Sequence, residues 1–331
     1  MGNLTSPSTL VLGYDEVRSL LDVPTVLEQQ RRVFIALAEE RATLSPNLWL
    51  RPPLESRGWL KILAGYEPES RALGSKIVAR FPENPSGTNL GALIVLFDDT
   101  SGFPVAIVDG VHITALKTAA GAALATEVLA RDDARSVGVV GSGVLAWWSL
   151  AFFAVACPAL RTVSVYSRSP QRREDLAARA HDGLGYDAYP VASVGEATRD
   201  ADVIVTATNS ADRVLLKEHI RPGQHINALG IRSEIAPEVM AVAKVFPDGR
   251  SESLADGKFS EAVAAGAAKV DDLGPTLGEL LSGREQGRSD DTEITLFDSS
   301  GVAIQDLVCA QAAVELARAA GVGTEVRFLP G

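Results

Sequence analysis

The residues with the plainest chemical promise in this sequence are small. Gly141, Ser142 and Gly143 follow a β-branched run, Val137, Val139 and Val140, and precede an apolar segment at 144–156. A strand, a glycine turn and a helix form the context in which Gly-x-Gly-x-x-Ala carries meaning. Gly141 permits the tight turn, Gly143 lets a pyrophosphate approach the backbone, and Ala146 lets helix and strand pack closely. The start of the helix adds free N–H groups and a partial positive charge, which together suit a dinucleotide phosphate. The run 162–166 reads as the next parallel strand, and the residue after it is Ser167, followed by Arg168, with Arg172 and Arg173 a turn on. An acid at the end of that strand would bind ribose hydroxyls and repel a 2′-phosphate. Serine with arginine accepts the phosphate. The expected cofactor is therefore NADP(H), ahead of NAD(H).

These residues need a scaffold, and the hydrophobic pattern supplies one. Segments 202–207, 225–230 and 293–298 continue the series of short apolar strands begun at 136–140 and 162–166. Strands alternating with helices give an α/β, Rossmann-type doubly wound parallel sheet. The N-terminal region reads differently. A strand at 10–13 and helices at 15–21 and 23–40 precede strands at 59–64, 75–79, 91–97 and 104–108, separated by Pro, Gly and Asp turns. That pattern predicts a smaller α+β sheet domain. A helix at 114–131 leads into the nucleotide-binding strand, a polar loop occupies 282–291, and a last helix spans 307–320.

Composition narrows the function classes. The chain has 331 residues, 46% hydrophobic and 22% charged, with a formal net charge of −11. A length beyond one ordinary core predicts two domains, and the acidic balance argues against nucleic acid, which wants a basic stripe. Cys157 and Cys309 stand far apart, and His112, His181, His219 and His225 show no ligand spacing, so neither a metal site nor a disulfide framework is expected. No apolar run has the length of a membrane span, and no signal-peptide core follows the N-terminus, so a cytoplasmic protein without a membrane partner is expected.

Several stretches in succession resemble the ornithine cyclodeaminase/μ-crystallin family. They are Lys76 before Phe81 to Asn84, the segments 100–109 and 113–120, the strand 225–230, and 287–299 with Gly301. The resemblance implies a substrate-binding and dimerising sheet domain at 1–120 plus 307–331, and an NAD(P)-binding Rossmann domain at 121–306. It implies an oxidoreductase acting on the C–N bond of an imino or amino acid, as an imine reductase or an opine-type dehydrogenase. A cyclodeaminase or alanine-dehydrogenase-like activity, or a non-catalytic NADPH-binding protein, remain alternatives. The partners implied are a small imino or amino acid and a second copy of the chain.

The same resemblance assigns residues. Lys76 stands at the family's substrate lysine, Arg51 at its first substrate arginine, and Lys117 where the family usually has arginine. A cation at each pairs with a carboxylate. The cofactor set implied is Thr88, Gly141, Ser142, Gly143, Val144, Leu145, Ser167, Arg168, Arg172, Thr206, Ala207, Thr208, Leu229, Gly230, Ser299 and Gly301. Leu145 replaces the glutamine of the family's glycine turn. The main departure is Arg232, two residues after Gly230, where cyclodeaminases carry aspartate. A guanidinium there removes a general base and repels an ornithine ammonium, leaving Lys76, Arg232 and Glu234 as catalytic candidates. With Arg51, Lys76, Lys117 and Arg232 expected in one pocket and no acid placed among them, the substrate is expected to carry a second carboxylate.

Overall fold

The computed structural model describes residues 8–52, 58–82, 84 and 89–328. In chain order its strands are β1 (Thr9–Leu12), β2 (Thr43–Leu44), β3 (Leu48–Leu50), β4 (Trp59–Glu67), β5 (Ala72–Arg80), β6 (Leu90–Phe97), β7 (Pro104–Asp109), β8 (Ser136–Val140), β9 (Thr162–Tyr166), β10 (Asp187–Pro190), β11 (Val203–Thr206), β12 (His225–Ala228), β13 (Lys244–Pro247), β14 (Thr295–Asp298) and β15 (Thr324–Val326). The longer helices are α1 (Tyr14–Leu20), α2 (Val23–Ala38), α3 (Gly110–Leu129), α4 (Val144–Ala156) and α5 (Pro170–Leu184), with a C-terminal helix at Ala303–Ala320. The chain divides into two compact units, Met1–Lys117 with Val302–Gly331, and Thr118–Gly301.

The first unit is built on a mixed sheet ordered β15-β1-β7-β6-β5-β4-β2, with β3 also pairing with β4. Strands β4 to β7 form an antiparallel meander, while β1 runs parallel to β7. Along β5 the side chains alternate between faces, so Ala72, Gly74, Lys76 and Val78 share the buried one. The C-terminal helix packs on β4, β5, β6 and α2. Helix α2 starts cleanly because Asp22 accepts from the Thr25 N–H at 2.9 Å and Pro24 occupies the first turn, where a missing N–H costs nothing.

The second unit is an all-parallel sheet ordered β10-β9-β8-β11-β12-β14-β13. Val137, Val139, Val140, Val163, Val165, Val203, Ile204 and Val205 are buried, as parallel strands covered on both faces require. The order departs from simple succession beside β8, whose neighbours are β9 and β11. Doubly wound sheets open a crevice at such a switch point, outside the carboxyl ends of the strands. Helix α5 is bounded by its own sequence. Ser169 caps its start ahead of Pro170, and Gly185 ends it in the left-handed conformation at φ +74°.

Candidate active site

The second unit holds a solvent-open cleft at that switch point. Gly141, Ser142 and Gly143 form its floor, with Tyr166, Ser167, Arg168, Ser169 and Arg172 on one side and Ala207, Thr208, Asn209 and Ser210 on the other. Gly141 has φ +123°, and a Cβ there would lie 2.4 Å from the Ala207 carbonyl oxygen, so only glycine fits. A Cβ on Gly143 would meet nothing within 4 Å, which leaves the N-terminus of α4 open to a ligand. No side chain caps that end of the 13-residue helix. Its first-turn N–H groups are therefore available to a phosphate.

Ser142 Oγ donates to Ser167 Oγ at 2.9 Å and ties the glycine turn to the end of β9. Arg173 turns inward and donates to the Ser167 carbonyl at 3.2 Å. Arg168 and Arg172 are exposed at the rim, and neither guanidinium has an ion-pair partner among the described residues. No acid lines the cleft among those residues.

The remaining residues expected at the cofactor are scattered. Val144 is exposed and Leu145 half-buried in the first turn of α4. Thr206 and Leu229 are buried at the ends of β11 and β12, and both the Leu229 and Gly230 N–H groups donate to the Thr206 carbonyl. Ser299 Oγ, at 3.4 Å, and the Gly301 N–H, at 2.7 Å, donate to Asp248. Thr88 lies outside the described residues.

Two of the catalytic candidates, Glu234 and Arg232, are engaged by other groups of the protein. Glu234 is fully buried and accepts four hydrogen bonds, from Thr206 Oγ1 at 2.8 Å, the Gly230 N–H at 2.6 Å, and the Thr208 N–H and Oγ1 at 3.0 Å each. Burial pushes its carboxyl above the ordinary glutamate range, opposed by Lys258 and by these donors. It clamps the turns after β11 and β12, with both oxygens accepting hydrogen bonds from the protein. Arg232 is 44% exposed, donates to Ser260 Oγ at 2.7 Å, and sits 3.5 Å from Glu261, whose other oxygen takes Arg213 at 2.8 Å. A guanidinium so engaged at the surface does not belong to a cluster of unpaired cations. A three-residue helical turn, Arg232–Glu234, sends the two side chains in these opposite directions.

The first unit contains a buried polar cluster. Lys76 Nζ donates to Asp306 Oδ1 and to Thr114 Oγ1, both at 2.6 Å. Lys117 Nζ donates to Gln305 Oε1 at 3.3 Å and lies 3.8 Å from Asp306 Oδ2. All three charged groups are within a few per cent of complete burial. Burial pushes the Lys76 ammonium below the ordinary lysine range. Asp306 opposes that shift, and Lys117 and Lys61 add to it. Two ammonium groups around one carboxylate leave a net positive site in low dielectric, which a carboxylate ligand relieves.

Asp306 corrects the expectation that no acid stands among the lysines. It sits in the first turn of the C-terminal helix, where the helix dipole favours an anion, in a segment otherwise rich in buried Ala, Ile, Leu and Val. A buried acid in the apolar first turns of that helix was the available signal. Arg51, just past β3, is exposed and stacks on the Trp49 ring at 4.3 Å. Among the described residues no group of His, Cys, Asp and Glu could hold a metal ion, and no helix is long and apolar enough to cross a membrane.

A doubly wound sheet, a glycine turn that only glycine can make and an open helix start define a dinucleotide-binding fold, and the similarities that follow make the protein a nicotinamide-dependent oxidoreductase. The chain belongs to the ornithine cyclodeaminase/mu-crystallin family, whose model matches residues 8–321. It is 31% identical to alanine dehydrogenase of Archaeoglobus fulgidus, over 97% of this chain and 98% of that one. It is 32% identical to iminosuccinate reductase of Paracoccus denitrificans, over 96% and 100%. Among solved structures it is similar to Thermococcus litoralis Delta(1)-pyrroline-2-carboxylate reductase in complex with NADH and L-proline, with a TM-score of 0.91 and 30% identity over 96% of this chain and 100% of that one.

Proposed function

We propose that the protein is an NADPH-dependent reductase of α-imino acids. The observation that carries this reading is the buried Lys76, Lys117 and Asp306 cluster, whose excess positive charge suits an α-carboxylate. When bound, the reduced nicotinamide supplies a hydride to the imine carbon. The protein's own groups must then hold the carboxylate and deliver a proton to nitrogen. Lys117 is assigned the carboxylate. Lys76 is assigned the proton, because an ammonium lowered by burial is a stronger acid than an exposed one and Asp306 keeps it charged. Relatives named as reductases of iminosuccinate and of Delta(1)-pyrroline-2-carboxylate support the same reaction class.

The cofactor residues proposed are the glycine turn, the α4 N-terminus, Ser167, Arg168 and Arg172. Two rim guanidiniums without an ion-pair partner, and a cleft lined by no acid, both among the described residues, favour a 2′-phosphate. The test is loss of nicotinamide absorbance on mixing enzyme, NADPH and imines formed from 2-oxo acids with ammonia or amines. Reduction of at least one α-imino acid is expected. Cofactor binding without turnover of any of them refutes the reading.

The assembly proposed is a homodimer through the outer face of the first unit's sheet. Leu48, Leu50 and Leu93 are 56%, 56% and 53% exposed there, and they pair across strands with Ile62, Leu60 and Ile77. An apolar face of that extent wants a second copy. Sedimentation as a dimer at micromolar concentration is expected, and a monomer contradicts the proposal.

A further inference from the structure

The buried polar cluster of the first unit contains a hydroxyl placed as specifically as its charges. Lys76 comes from β5, Asp306 from the C-terminal helix and Thr114 from the first turns of α3. An ammonium has N–H donors and no acceptor, so the Thr114 oxygen accepts from Lys76 and its own proton must go elsewhere. It goes to the Gly110 carbonyl, one helical turn back, at 2.5 Å. That back-bond is a rotamer open to threonine in a helix, and it leaves a lone pair of Oγ1 for Lys76 Nζ. A hydroxyl that donates to a carbonyl is also a better acceptor, because the two bonds polarise each other. Gly110 is itself held in place. A Cβ there would lie 2.9 Å from the Ala92 Cβ, so the start of α3 approaches β6 more closely than a side chain would permit. Ala92 pairs with Val78, which lies two residues beyond Lys76 on the same face of β5.

Lys76 Nζ thus commits one N–H to Asp306 and one to Thr114, and the hydrogen bonds among the described residues take no third. We infer that Thr114 is a positioning residue for proton transfer: with Asp306 it fixes two N–H groups of Lys76, and the third carries the proton that passes to the imine nitrogen. The inference rests on the reductase reading and deepens it. Cε, Asp306 and Thr114 define three of the tetrahedral directions at Nζ, which fixes the last one; a single hydrogen bond would leave the side chain free to swing about it. In the reduction the imine carbon gains the hydride, the C=N π pair takes the proton from that third N–H, and the lysine is left as a neutral amine until solvent reprotonates it. The other two N–H groups keep their acceptors throughout, so the nitrogen holds its orientation through the step. The charged groups around Lys76 are Asp306 from the C-terminal helix, Lys117 from α3 and Lys61 from β4. Asp306 favours the ammonium and the two lysines oppose it, and the Thr114 oxygen acts on the side of Asp306.

The test is the pH profile of kcat/KM for wild type, Thr114→Val and Thr114→Ser, with NADPH and an imine that the wild type reduces. Valine keeps the shape of the side chain and removes the acceptor. Its alkaline limb should move down by about one pH unit, since a hydrogen bond to a charged group is lost. Near neutrality its kcat should fall roughly tenfold or more while KM stays within about threefold. Serine keeps the hydroxyl, so it should restore the limb and bring kcat to within about threefold of wild type. An unmoved limb in Thr114→Val, a loss confined to KM, or a serine variant as impaired as the valine one overturns the inference. Thermal melts read the same hydroxyl without turnover. Removing the acceptor takes the folded pKa of Lys76 further below its unfolded value, so the melting deficit of Thr114→Val should be largest near neutrality and narrow as pH rises. A deficit independent of pH also overturns the inference. If the wild type reduces no imine, the reductase reading falls and the proton role with it, and the melts still tell whether the hydroxyl holds the ammonium. If imines are reduced and Thr114→Val keeps the wild-type kcat and limb, only the positioning role falls.

Discussion

Replacing Asp306 by asparagine removes the acid that faces two buried ammonium groups, at 2.6 Å from Lys76 and 3.8 Å from Lys117. Breaking a buried pair in this way costs about 3–5 kcal/mol, because the remaining charge has no partner. The protein has one escape, which is to release a proton from lysine. An unfolded lysine titrates near ~10.4 and each unit is worth ~1.4 kcal/mol, so at about pH 7.5 that release costs ~4 kcal/mol and sets the ceiling. A loss of ~3–4 kcal/mol lowers the melting temperature by roughly 10 °C in a domain of this size. The sign of the pH dependence follows from the lysine. In the variant its folded pKa lies further below the unfolded value, so the unfolded chain binds more protons and stability rises with pH. At about pH 9.5 the ceiling drops to ~1 kcal/mol, and the gap between wild type and variant should narrow to a few degrees. Thermal melts of both proteins at the two pH values test this. A loss below about 2 °C near neutrality, or a gap that does not change with pH, refutes the account of the cluster.

Wild-type protein should bind NADPH at least tenfold more tightly than NADH, and Arg168→Asp should reverse the preference; equal affinities by fluorescence titration contradict the role given to the rim arginines. Glu234→Gln sets an amide N–H₂ against donors that now lack an acceptor. Because the clamp holds the turn that carries Ala207 and Thr208, cofactor KM should rise at least fivefold while kcat stays within threefold. A collapse of kcat at unchanged KM would return Glu234 to a direct catalytic role. The alkaline limb of kcat/KM should fall below the ordinary lysine value of 10.5, because Lys76 must be protonated and burial lowers its pKa. A rate that stays level up to that value excludes Lys76 as the proton donor.

The nucleotide-binding unit was legible because its signals are local. A run such as Val137 to Val140, followed by Gly141 and Gly143, states its strand, its turn and its helix within eleven residues, and α4 spans the 144–156 expected of it. The alternating meander β4 to β7 was equally readable, although β5 runs longer than expected at both ends, Ala72–Arg80 against 75–79, and β4, β6 and β7 run longer at one end each. Short elements escaped. β10, β13 and β15, at three or four residues each, carry too little pattern to stand apart from loops, and their neighbours in the sheet decide them.

The site divides along the same line. Residue type and spacing alone determined the glycine turn, the arginines after Ser167 and the presence of a lysine in an apolar strand. Each is a property of neighbouring residues, and the alternation of β5 already puts Lys76 on the buried face. Only the tertiary structure decided which charges meet. Asp306 reaches Lys76 across 230 positions of chain, and Lys61 becomes its neighbour through the register of β4 on β5. Glu234 and Arg232 are two residues apart, yet one closes a buried clamp and the other pairs with Glu261 at the surface. Electrostatic partnership depends on distance and burial, and neither is written in the order of residues along the chain.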